Sequence, residues 1–195
     1  GKYKIFPILG TAIMTIGLVL MSTLNEDTSF AILSIYAVLV GAGLGLSMQT
    51  IVIALQNAVD FQDMGIATSS NTFFRSLGGA FGTAIFGTIL SNRIAYYLQD
   101  NFAKLQSSDP AALSDFDSSK LDLITTNTSI ITTLPPVIQD TVLHSFAQTF
   151  QVVFFAAAPI TFLGFILAFF LKEKPLQSSS DHHAAKAEAA GEAVG

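Results

Sequence analysis

Four stretches of this 195-residue chain, residues 5–24, 30–56, 66–90 and 146–171, are long, apolar and almost free of charge. A helix needs about 20 mostly apolar residues to cross the roughly 30 Å hydrocarbon core of a bilayer, and each stretch has that length. Of the nine Lys and Arg only Arg75 falls inside one of them, and none of the fourteen Asp and Glu does. Hydrocarbon offers the backbone no water, so each crossing segment must close its own N–H and C=O groups, as a helix does. The expected fold class is an all-α membrane protein with four transmembrane helices. Composition agrees: 12% of residues are charged, against roughly 25% in soluble domains. The first stretch leads into three more, so it does not read as a cleaved leader.

Four spans put both termini on one side, and the distribution of cations chooses it. Lys2 and Lys4 precede the first span and Lys172, Lys174 and Lys186 follow the fourth. The turn at residues 25–29 has no cation, and the segment after the third span brings only Arg93 and Lys104 near the membrane. The expected topology is multi-pass with both termini cytoplasmic, in the plasma membrane. Residues 1–90 then hold three spans, and residues 91–145 form an extracytoplasmic loop. Residues 146–171 are the fourth span and residues 172–195 a disordered cytoplasmic tail, too polar and small to bury a core.

A connection of that length without structure is unusual, and two amphipathic helices are expected in it. Ile94, Tyr97, Leu98, Phe102 and Leu105 recur at helical spacing. A second set, Ile138, Val142, Leu143 and Phe146, follows Pro135-Pro136 and leads into the fourth span. Residues 107–133, rich in Ser, Thr and Asp, read as a mobile outside loop.

Several function classes fall away. The chain has no cysteine, hence no disulfide, thiolate metal site or thiol catalysis. It carries no phosphate loop and no nucleophile with a neighbouring base, so no enzyme activity and no cofactor are expected. His182-His183 lacks the further ligands a metal site needs. A net charge of −5 argues against nucleic-acid binding.

Within lipid, helices associate through small residues that let backbones approach. Gly41 and Gly45 in the second span, and Gly78, Gly79, Gly82 and Gly87 in the third, are the expected packing positions. A charge within a span is costly and faces protein or a water-filled cavity, which makes Arg75 the most informative single residue. It lies about 14 Å along the third span, and Gln49 enters the second to roughly 10 to 12 Å at 1.5 Å per residue. The two are expected to face one another or share a water, with Asn71 one turn from Arg75 as a further partner. The competing reading is an arginine that snorkels to the interface as an anchor. Pro159 removes a backbone hydrogen bond inside the fourth span and is either a structural kink or a hinge.

Several runs resemble one family. They are Gly1-Lys2-Tyr3-Lys4-Ile5-Phe6-Pro7-Ile8-Leu9-Gly10, Gly41-Ala42-Gly43-Leu44-Gly45-Leu46, Gln56-Asn57-Ala58-Val59 and Gly65-Ile66-Ala67-Thr68-Ser69-Ser70. With Phe73-Phe74-Arg75-Ser76-Leu77-Gly78-Gly79-Ala80-Phe81-Gly82-Thr83-Ala84 they are similar to the fourteen-span drug/proton antiporters of the major facilitator superfamily. The likeness covers residues 1 to about 93, and the spans look like helices eleven to fourteen, part of the C-terminal half.

That resemblance implies multidrug efflux of lipophilic small molecules in exchange for protons, with the bilayer and the remaining transporter helices as partners. It also implies a substrate site between two halves, of which this chain supplies part of one. None of the four spans holds Asp, Glu or His at depth, and a guanidinium does not deprotonate in proteins. The coupling group is therefore expected elsewhere, and the chain is not expected to be active alone. Gly1 in place of methionine fits a chain that begins inside a longer one or has been trimmed. The alternative is a stand-alone four-helix membrane protein, acting as a homo-oligomeric pore or as a structural partner of another membrane protein. It accounts for the missing half but not for motifs that match in order.

Overall fold

The computed structural model describes residues 3–113, 124 and 128–171, and the expected tail, like residues 114–123 and 125–127 of the expected mobile loop, lies outside them. Among the described residues four long α-helices run up and down: α1 (Ile5–Met21), α2 (Phe30–Ala58), α3 (Met64–Ser108) and α4 (Pro136–Phe169). Short 3₁₀ turns at Phe61–Asp63, Pro110–Leu113 and Thr128–Thr133 join them. Among the described residues there is no strand. The distal end of the bundle carries the α1–α2 turn, the end of α3 and the start of α4.

Local chemistry sets these boundaries. Ser29 caps α2 by accepting a hydrogen bond from the Ala31 N–H at 3.4 Å, which occupies one of the donors a helix start leaves free. Val59 turns extended and ends α2. Pro136 opens α4 at its first position, where the missing N–H costs nothing. Along the helices Thr11, Ser34, Thr50, Thr72, Thr83 and Thr88 return their hydroxyls to carbonyls four residues back. Polar side chains are thereby satisfied inside their own helix.

Three helices, α2, α3 and α4, are long and apolar enough to cross a membrane. At 17 residues α1 is shorter than the expected 5–24 and stands at the lower limit for a crossing. The larger departure lies in the expected loop. The third span runs on past the end of its apolar run, and the fourth begins ten residues before its own. The 45 residues of α3 extend roughly 68 Å, more than twice the hydrocarbon thickness, and α4 takes in its amphipathic leader without a break. The two amphipathic pieces are present as helix, but as continuations of the spans. The physical reason is that nothing between Leu90 and Ile94 stops a helix: Ser91, Asn92 and Arg93 change polarity without adding Gly or Pro.

Two kinds of packing hold the bundle together. In the apolar part α1 lies against α2 and α4. There Gly10 and Gly43 bring α1 and α2 into backbone contact. A Cβ on Gly43 would stand 2.7 Å from the Met14 amide nitrogen and 2.5 Å from the Gly10 carbonyl, and one on Gly10 would collide with Ser47. Gly17 seats Val40 in the same manner. At the distal end the continuations of α3 and α4 bury a cluster of Ile94, Leu98, Phe102, Ile138 and Val142 with Ile124 and Ile131. Replacing Gly43 by Ala should force α1 from α2 and cost about 1–3 kcal/mol, measured as a lower thermal-unfolding midpoint of the detergent-solubilised chain. Gly45→Ala, whose Cβ would meet nothing within 4 Å in this chain, should leave that midpoint within about 0.5 kcal/mol of the parent.

Candidate functional site

The polar residues expected to meet inside the bundle lie on an open face. Gln49 and Arg75 are exposed and Asn71 is half-buried. Beyond the backbone bonds of their own helices, none of the three makes a side-chain hydrogen bond to a described residue. The expected Gln49–Arg75 contact is therefore not made within this chain. The reason is the course of α3: no residue from Met64 to Arg93 is buried, and α3 packs chiefly against α4 through its distal half. Its apolar half, with Arg75 flanked by Phe73, Phe74 and Leu77, stands free.

The glycines follow the same division. At Gly41, Gly45, Gly78, Gly79, Gly82 and Gly87 an added Cβ would meet nothing within 4 Å. Close approach falls instead on Gly10, Gly17 and Gly43. Periodicity marks both sets alike, and only the pairing of helices separates them. Pro159 sits in unbroken helix on the exposed side of α4. Beside it Ala158 is buried, and Thr161 meets α1 through a hydrogen bond with Thr15 at 3.2 Å. This polar link ties α4 to α1 where proline has removed one helical bond.

A buried polar network at the distal end was not singled out by sequence. The Asn101 amide donates to the Ser145 hydroxyl at 2.9 Å and to the Gln148 side-chain oxygen at 3.0 Å. Ser145 itself donates to the Thr141 and Tyr97 carbonyls at 2.8 and 3.3 Å, and Thr149 donates to the Ser145 carbonyl at 2.7 Å. Ser145 and Thr149 are fully buried. The network fastens α3 to α4 just below the apolar cluster. Asn101 lies one turn before Leu105 and three residues after Leu98, so the signal was a polar residue on the inner face of an amphipathic helix.

A second distal contact joins the α1–α2 turn to α4. Gln151 donates to the Leu24 carbonyl at 2.6 Å and the Asn25 side-chain oxygen at 2.8 Å, and the His144 ring nitrogen Nδ1 lies 2.8 Å from Glu26 Oε1. A hydrogen bond from its own backbone N–H, followed by the one from His144, holds the Glu26 carboxyl below its ordinary value. Between turn and helix lies a cavity of about 310 Å³ lined by Leu24, Leu33, Ala147, Phe150 and Phe154, with Asn25 and Thr28 as its polar members. Phe150 and Phe154 stack with ring centroids 6.2 Å apart. No group of His, Asp or Glu able to hold a metal ion occurs among the described residues.

Asn101→Leu should leave the Ser145 and Gln148 oxygens without their donor at a cost of about 1–3 kcal/mol. The expected outcome is faster hydrogen exchange confined to the distal half of α3 and the first turns of α4, with the α1–α2 pair unchanged.

Comparison with known proteins places this architecture. An uncharacterized MFS-type transporter of Mycobacterium tuberculosis is 37% identical over 181 residues, which cover 93% of this chain and 24% of that protein. A multidrug transporter protein of Bacillus subtilis is 35% identical over 120 residues, 62% of this chain and 22% of that protein. An MFS-type efflux pump of Mycosarcoma maydis is 28% identical over 176 residues, 90% of this chain and 27% of that protein. The chain thus spans about a quarter of the length of the relatives it matches. No family model and no solved structure matches it.

Proposed function

This chain belongs to the major facilitator superfamily of transporters, and we propose that it forms the C-terminal segment of a proton-coupled multidrug efflux transporter. It is a multi-pass membrane protein. In this reading it supplies part of the substrate path and is not active alone. The observation that carries the reading is the 37% identity to an MFS-type transporter along nearly the whole chain. The names of further relatives, a multidrug transporter protein and an efflux pump, support the drug-efflux part. A stand-alone pore offers no reason for such matching.

The open half of α3 fits the same reading. A largely apolar helical stretch that carries a cation at depth and, from Met64 to Arg93, buries none of its residues wants protein around it. The remaining transporter helices would cover it, and Gln49, Asn71 and Arg75 would face the path they enclose. Arg75 keeps its charge throughout and serves as a fixed electrostatic element. A membrane-embedded carboxylate that takes up and releases the proton belongs to the remaining helices, since the four apolar stretches hold none. The plasma membrane and cytoplasmic termini complete the proposal, on the excess of cations flanking the first and last spans.

The test is export of a fluorescent lipophilic cation by cells expressing this chain, the full-length transporter, or the full-length Arg75→Ala variant, at matched membrane levels. Export is expected from the full-length protein only, to collapse with the proton gradient, and to fall roughly tenfold or more in Arg75→Ala, a loss of at least about 1.4 kcal/mol. Export by this chain alone would replace the proposal with the oligomeric reading.

A further inference from the structure

The distal cavity has a fastening of its own. Two residues of α4 one heptad apart, His144 and Gln151, reach the α1–α2 turn, and the cavity-lining residues Ala147 and Phe150 lie between them. Residues seven apart share a helix face, so the turn is pinned at two points across the cavity. The contacts differ in kind. The Gln151 amide is neutral, and its bonds to Leu24 and Asn25 do not depend on pH. The His144–Glu26 contact is between a carboxylate and an imidazole, the side chain whose charge changes between pH 5 and 8.

Acidic side chains gather around the contact. Besides Glu26, the turn carries Asp27, and α4 carries Asp140 one turn before His144; none of the three has a cation on its own element nearby. On the distal half of α3, which packs against α4, the charged residues are Arg93, Asp100, Lys104 and Asp109, of which Lys104 is paired with Asp100 at 2.6 Å. At 44% and 28% side-chain exposure, His144 and Glu26 are both reached by water and by protons.

We propose that the His144–Glu26 contact is a pH-sensitive clasp that holds the α1–α2 turn over the apolar cavity on α4, with Gln151 as the permanent hinge point. The charged pair is complete while the carboxylate is ionised and the imidazole protonated. Because the Glu26 carboxyl is held below its ordinary value, its contribution is present above the ordinary carboxylate range and is lost only as pH falls through the lowered value. At the other end, an imidazole as a class gives up its charge between pH 5 and 8, and a charged pair built on one weakens with it. The clasp is therefore tight in mildly acidic medium and loose in alkaline medium.

The inference stands on the geometry of this end of the bundle and is independent of which molecules are transported. The absence of cysteine from this chain makes the measurement direct. Nitroxide labels at Thr23→Cys on the turn and Leu143→Cys on α4, in the full-length transporter freed of other cysteines and placed in liposomes, report their separation by pulsed electron resonance. Between pH 5.5 and 8.0 on both sides of the membrane, the ratio of short to long distances should fall about threefold, the size expected of one exposed ion pair. Both His144→Gln and Glu26→Gln should give a ratio that does not change with pH. Equal distance distributions at the two pH values in the parent, or a pH response that survives in either variant, would overturn the proposal.

Discussion

What keeps α3 against α4 is an apolar cluster on the distal continuations of the two helices. Ile94, Leu98 and Phe102 close on Ile138 and Val142, and the Asn101–Ser145–Gln148 network locks the seam beneath them. Where such a seam stands in water, apolar surface gains by leaving it. No such force acts between helices in lipid, whose tails are as apolar as leucine. The long continuations of α3 and α4 therefore do more than connect two spans. They hold α3 upright while its apolar half remains open to other helices.

Within the apolar half a different rule decides which helices touch. Backbone proximity at Gly10 and Gly43 sets the α1–α2 pair, and Thr15–Thr161 ties α4 to α1. The result is a three-helix unit with a fourth helix hinged to it from the distal end. Such a division leaves one surface of these helices packed internally and another open, and Gln49 and Arg75 are exposed on the open side with Asn71 half-buried beside them.

Much of the fold was legible from residue order. Apolar length alone marked the helices, and the heptad-like recurrence of Ile94, Leu98, Phe102 and of Ile138, Val142 marked the two amphipathic segments. Their continuity with the spans was not marked, because the Ser91-Asn92-Arg93 step signals a change of solvent and carries no instruction to end a helix. The site was less legible. Gly41 and Gly43 have the same neighbours in type, yet only Gly43 meets another backbone. His144 stood out in neither pattern nor motif, since its partner lies 118 residues away.

Sequence by itself determined that this chain lives in a membrane as helices, since hydrocarbon leaves long uncharged segments no other way to satisfy their backbones. It also determined the family, through motifs kept in order. Tertiary structure alone decided which small residues are contacts, which polar residues pair, and where the chain stays open. The physical reason is that periodicity fixes the face on which a residue lies, whereas a contact requires a second helix at a particular height and angle. That placement is set jointly by the backbone crossing at Gly10 and Gly43 and by the cluster around Leu98 and Val142.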